Sequence, residues 1–160
     1  MNETKVCCPK FDPQPWQQIT HQWTDKLFIT ETIPQFLHMP LPMVYAKAVG
    51  RLWKKAQDLA IAPDIKDFLL LAYDPSPWKS ELYIAVTKDA AGANAVRFSG
   101  TYVSMVFDGS FSGVPKYIKE MEHYLETKKL KSKKYYFYFT TCPKCAKKYG
   151  HNYIVALCEV

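Results

Sequence analysis

With 160 residues, 48% of them hydrophobic and 22% charged, the chain can bury one substantial core and is too apolar to stay disordered. Its 21 Lys and Arg against 15 Asp and Glu give a net charge of +6, which admits an acidic partner without demanding one. No apolar run approaches the roughly 20 residues of a membrane helix, and no basic segment with an apolar stretch opens the chain, so a cytoplasmic protein away from membranes is expected.

Residues 1–24 hold Pro9, Pro13 and Pro15, which fix φ and remove backbone donors, so this stretch reads as an extended arm anchored by Trp16 and Trp23. The domain proper is expected over residues 25–160. A strand rich in Phe, Ile and Thr is predicted for residues 26–33, ended by Pro34. Val44, Ala48, Leu52, Ala56 and Leu59 recur at helical spacing and predict a helix over residues 43–59. Residues 65–73 and 81–88 read as strands joined through Asp74-Pro75-Ser76-Pro77.

The same order then returns. Residues 96–107 predict a long strand ending at the turn Asp108-Gly109-Ser110, and Pro115 suits the first turn of a second helix. Tyr117, Met121, Tyr124 and Leu125 form its apolar stripe. Residues 135–141 and 152–160 are the last strands, separated by Cys142-Pro143-Lys144-Cys145 and a basic stretch ending in Gly150. The expected fold is therefore α+β, with two pseudo-repeated strand-helix-strand-strand units, residues 26–88 and 96–160, forming one antiparallel sheet with two helices on one face.

The stretch Tyr73-Asp74-Pro75 leading to Glu81-Leu82-Tyr83-Ile84-Ala85-Val86, then Gly100-Thr101-Tyr102 leading to Phe107-Asp108-Gly109-Ser110-Phe111, resembles the GyrI-like small-molecule-binding family. The helix ending in Tyr124-Leu125 and the aromatic strand Tyr136-Phe137-Tyr138 complete the pattern over residues 26–160. The resemblance implies two helices on one side of a sheet, with a hydrophobic or cationic aromatic ligand held in a groove between them. It also implies kinship with stand-alone members, among them hydrolases of reactive cyclopropane compounds that detoxify or sequester their ligand. Many members carry a carboxylate in the penultimate strand, just before an aromatic pair. Here Tyr136 holds that position, so the family's catalytic glutamate has no direct counterpart.

From the residues themselves, Glu81 is the candidate general base or counter-charge, with Tyr136 as a second catalytic candidate that could orient water. A plainer reading puts Glu81 and Tyr83 on the solvent face of the sheet, since alternation separates them from Leu82 and Ile84. Placement of Glu81 on the sheet face away from both helices would eliminate it as a base or counter-charge at the edge of that groove. Trp53, Trp78, Tyr83, Tyr102 and Tyr138 are candidate ligand-binding walls, although each would equally serve as core.

Five cysteines are present. Cys7, Cys8, Cys142 and Cys145 supply four thiols that could hold a structural zinc, with Cys142-x-x-Cys145 forming a knuckle and water, His151 or nothing in place of Cys8. The competing readings are inert reduced thiols and a redox pair. The latter is disfavoured because the motif is read as lying between a strand and a basic loop. Cys158 reads as core. No histidine has a nucleophile near it in sequence, so no catalytic triad is expected.

The lysines at 128, 129, 131, 133, 134, 144, 147 and 148 read as solvated helix ends and loop, and no nucleic-acid motif accompanies them. Their alternative role is a basic C-terminal face through which a non-catalytic module binds or inhibits a protein partner.

Overall fold

The computed structural model describes residues 8–160. The chain divides into two compact units, one of residues 22–100 and one of residues 8–21 with 101–160. Both are α+β, their strands pair antiparallel, and the described residues contain three α-helices. No helix among them is long and apolar enough to cross a membrane.

In the unit of residues 22–100, β1 (Ile19–Phe36) runs through Pro34 instead of ending there. Proline tolerates extended backbone where its missing donor is not needed, and beyond it the Gln35 N–H resumes pairing by donating to the Trp78 carbonyl at 3.0 Å. The Gln35 side chain is buried and its Nε2 donates to Asp74 Oδ1, Ser76 O and Lys79 O. That amide staples β1 to the hairpin of β3 (Leu70–Ser76) and β4 (Lys79–Ala85). The short β2 (Met39–Pro40) folds back on the end of β1.

The strand expected over residues 65–73 starts later. Residues 65–67 form a 3-10 turn, with the Asp67 N–H on the Asp64 carbonyl at 2.9 Å. The strand expected to reach residue 88 stops at Ala85 because Thr87 N–H turns to the Ile61 carbonyl. Helix α1 (Pro42–Asp58) has Pro42 in its first turn, where a missing donor costs nothing, and buries Ala48, Leu52 and Ala56 as its periodicity predicts. It packs on β4.

Register and alternation decide which strand residues face α1. Ile29 pairs with Ile84, and Glu31 with Leu82. Arg51 on α1 donates to Glu31 through Nε at 3.0 Å. The row containing Glu31, Leu82, Ile84 and Ile29 therefore faces the helix, and the row containing Thr30, Tyr83, Thr32 and Glu81 faces away.

The second unit repeats the layout with β5 (Val96–Asp108), α2 (Val114–Thr127), β6 (Lys134–Phe139) and β7 (Tyr153–Glu159), although β5 begins in the other unit. Strand β7 is central, with β5 on one side and β6 on the other. Tyr117, Met121 and Leu125 of α2 pack on Val103, Met105, Phe107, Ile154, Ala156 and Cys158. Cys158 is thus core as expected, and burial pushes its thiol pKa up to about 11.

A third helix was not expected. Pro143–Tyr149 forms α3, where the sequence suggested only a knuckle and basic stretch. Pro143 opens it, and Gly150 at φ +73° closes it by donating to the Ala146 carbonyl at 3.0 Å, a left-handed cap that glycine enters without a Cβ clash.

Candidate functional site

Glu81 lies on the face of β4 turned away from α1, which takes it off the helix side of the sheet. It is not left to open solvent. The carboxylate is half-buried, and the Tyr83 hydroxyl donates to its Oε2. Tyr83 itself is 8% exposed, packed at 5.2 Å against Phe98 and at 6.4 Å against Phe28.

Tyr73 is Glu81's partner on β3, and Thr32 its partner on β1. Burial, followed by the hydrogen bond and charge of Glu81, drives the Tyr83 phenol pKa well above its usual range. The result is an acceptor carboxylate beside a phenol held protonated, set in an aromatic floor.

Trp53 and Trp78 do not join this group. Trp53 is on α1, edge-on to Phe68 at 5.4 Å. Trp78 is 56% exposed at the β3–β4 hairpin tip, against Phe36 at 5.8 Å.

In the other unit, Tyr135, Phe137 and Phe139 pack on the α2 core, so alternation turns Tyr136 and Tyr138 to the opposite face. Register pairs Tyr136 with Leu157 and Tyr138 with Val155, and beyond β7 those partners pair with Ser104 and Val106 of β5. Tyr102 shares that face. All three tyrosines are buried, and burial pushes the phenols of Tyr102 and Tyr138 up to about 12. The arm covers Tyr138: Phe11 meets it edge-on at 5.9 Å and Trp16 at 6.3 Å.

Sequence reasoning missed one pair here. His21 Nε2 lies 2.7 Å from Ser104 Oγ, across 83 residues. The serine hydroxyl also donates to the Trp16 carbonyl at 2.7 Å and is fully buried. With the serine proton on that carbonyl, the His21 tautomer that carries its hydrogen on Nε2 donates to the serine, and the pair fastens the arm.

The thiols converge as the sequence suggested in part. Cys8, Cys142 and Cys145 offer sulfurs within 4.8 Å of one another and could hold a metal ion. Cys7 lies outside the described residues. The setting corrects an expectation: Cys142 caps α3 and Cys145 lies in its first turn, so the motif does follow a strand and open a helix. His151 is engaged elsewhere, with Nδ1 on Asp108 Oδ2 at 2.7 Å and its ring stacked on Tyr153 at 5.1 Å.

Those contacts hold the Asp108 carboxyl below its usual pKa. The His151 hydrogen bond contributes most, followed by the Asn152 N–H at 2.9 Å. A depressed carboxylate contributes its full stability above the unfolded value of about 4 and loses it as pH falls through the lower folded value. Asp108→Asn is expected to flatten the acid limb of a Tm–pH curve below about pH 4. Because the pair is half-exposed, the loss at neutral pH should stay under about 1 kcal/mol.

Of the lysines proposed as a basic face, Lys147 and Lys148 are exposed on α3. Lys133 donates to the Val160 carbonyl at 3.0 Å, and Lys134 sits 5.1 Å over the Tyr136 ring.

An α+β scaffold of antiparallel strands, with a carboxylate–phenol pair on an aromatic face turned away from α1, is the class of protein that these features define. Solved structures share the fold. A hydrolase from Listeria innocua is 15% identical with TM-score 0.64, over 89% of this chain and 91% of its own. An uncharacterized conserved protein from Listeria innocua is 16% identical with TM-score 0.64, over 89% and 91%. The EcmrR C-terminal domain is 9% identical with TM-score 0.65, over 90% and 96%. The chain belongs to the bacterial hydrolase family, whose pattern matches residues 1–160. No curated protein matches it.

Proposed function

We propose that this protein binds a hydrophobic or cationic aromatic small molecule in the GyrI-like manner and hydrolyses it, with Glu81 as general base. The ligand site is assigned to the face of residues 22–100 turned away from α1, not to a groove between helices. The observation that carries this is the Tyr83 hydroxyl donating to Glu81 on a face floored by Phe28 and Phe98. Aromatic rings favour flat or cationic ligands, and a carboxylate among them supplies both a counter-charge and a proton acceptor.

In the reaction, Glu81 takes a proton from water as the water oxygen bonds to the electrophilic carbon. The bond from that carbon to the leaving group breaks, the leaving group takes the electron pair and then the proton that Glu81 gained, and Tyr83, whose one hydroxyl proton is held by Glu81, orients the base. Its raised pKa keeps the phenol in the donor form throughout the neutral range. The family membership supports hydrolysis as the reaction class.

The test is turnover of a panel of cyclopropane and ester electrophiles carrying aromatic or cationic groups. Saturable turnover supports the reading. Ligands that raise Tm with no turnover would leave binding and remove catalysis. Low-salt affinity for an acidic protein, lost on neutralising Lys133, Lys134, Lys147 and Lys148, would favour the protein-binding module instead.

A further inference from the structure

We propose that Cys8, Cys142 and Cys145 together bind one zinc ion, which clasps the N-terminal arm to the start of α3. Three sulfurs within 4.8 Å of one another need only a small inward movement, because thiolates at about 2.3 Å from a tetrahedral zinc lie roughly 3.8 Å apart. Cys145 is 2% exposed, while Cys8 and Cys142 are half-buried, so the sulfurs form a shielded cluster with a route for entry.

The cluster is built, and two contacts show it. The Cys142 N–H donates to Cys8 Sγ at 3.4 Å, which seats the arm's sulfur at the start of α3. The Tyr149 hydroxyl donates to the Cys8 carbonyl at 2.7 Å, which ties the backbone carrying the third sulfur to the far end of α3. Lys144, Lys147 and Lys148 on the same short helix give it a net positive charge, which suits a cluster that three thiolates leave negative on a divalent ion. Soft sulfur donors select zinc over magnesium or calcium. Among the described residues the cluster supplies three ligands.

The consequence reaches the aromatic face. The arm segment that follows Cys8 seats Phe11 against Tyr138 and Tyr153, each at 5.9 Å. Fixing Cys8 shortens the free length of chain that must be ordered to keep Phe11 there.

Untagged protein, stripped with chelator under reducing conditions, is titrated with zinc and, in parallel, with cobalt, whose thiolate charge-transfer absorption reports sulfur ligation. One equivalent with that absorption is expected. Cys142→Ser and Cys145→Ser should each weaken uptake at least about 100-fold, while Cys158→Ala binds as wild type. Zinc should also slow tryptic cleavage after the exposed Lys10 by at least about tenfold. Absence of the charge-transfer band in folded wild-type protein overturns the site. So does a band that persists in Cys145→Ser, or cleavage at Lys10 that zinc does not change, which removes the clasp.

Discussion

Glu81→Gln should lower kcat on any electrophile the protein turns over by about 10²–10⁴-fold, the usual contribution of a positioned general base. That corresponds to roughly 3–5 kcal/mol in the barrier. The amide keeps the shape of the carboxylate and can still accept from the Tyr83 hydroxyl, so Tm should scarcely move and KM should change less than kcat. Tyr83→Phe should lower kcat by a smaller factor, since Glu81 remains ionisable while its orienting donor is lost. Because the Tyr83 phenol pKa is raised first by burial and then by Glu81, its deprotonation should produce no alkaline limb in the rate profile below about pH 10. Turnover within twofold of wild type in Glu81→Gln, measured at saturation, would place the base elsewhere.

Gly109→Ala should destabilise the protein by about 1–3 kcal/mol, a cost typical of forcing an atom into a packed site. A Cβ at Gly109 would stand 2.2 Å from the Tyr117 hydroxyl. Gly113 leaves equally little room on that ring, with 2.5 Å to the same oxygen.

The ring cannot swing away cheaply. It is stacked on Phe107 with centroids 4.4 Å apart, and its hydroxyl donates to the Ser110 carbonyl at 3.0 Å. The clash is with the hydroxyl oxygen, since the next ring atom is 3.4 Å away. Tyr117→Phe should therefore cost under about 1 kcal/mol, because the exposed Ser110 can turn to water. Gly109→Ala on that background should be nearly neutral. Thermal melts of the four proteins give the coupling directly, with each kcal/mol worth roughly 2–4 °C at this size. Additive losses would show that Gly109 is needed for its backbone rather than for the space it leaves.

What could be read before folding was periodicity. The stripes of α1 and α2 were legible because positions three and four apart share a helix face, and the buried residues Ala48, Leu52, Ala56, Tyr117, Met121 and Leu125 follow them. Helix α3 was not legible: its seven residues span too few turns to show a stripe, and a Pro between two cysteines resembles a turn as much as a first helical position. Pro34 misled for a related reason, since its effect depends on whether a partner needs its missing donor.

At the site, alternation alone placed Glu81 with Tyr83 and apart from Leu82, yet it could not say which set meets the helix. That was decided by the pairing of Glu31 with Leu82 and the reach of Arg51 to Glu31. The His21–Ser104 bond and the approach of Cys8 to Cys142 join residues 83 and 134 positions apart. Periodicity is a local property of a chain, and contacts closed over such distances are set by how strands register and pack. The amino-acid sequence by itself therefore determined the stripes of α1 and α2, the strand faces as sets and the thiols available. Only the tertiary structure decided which face became an aromatic floor for a carboxylate and which three sulfurs came together.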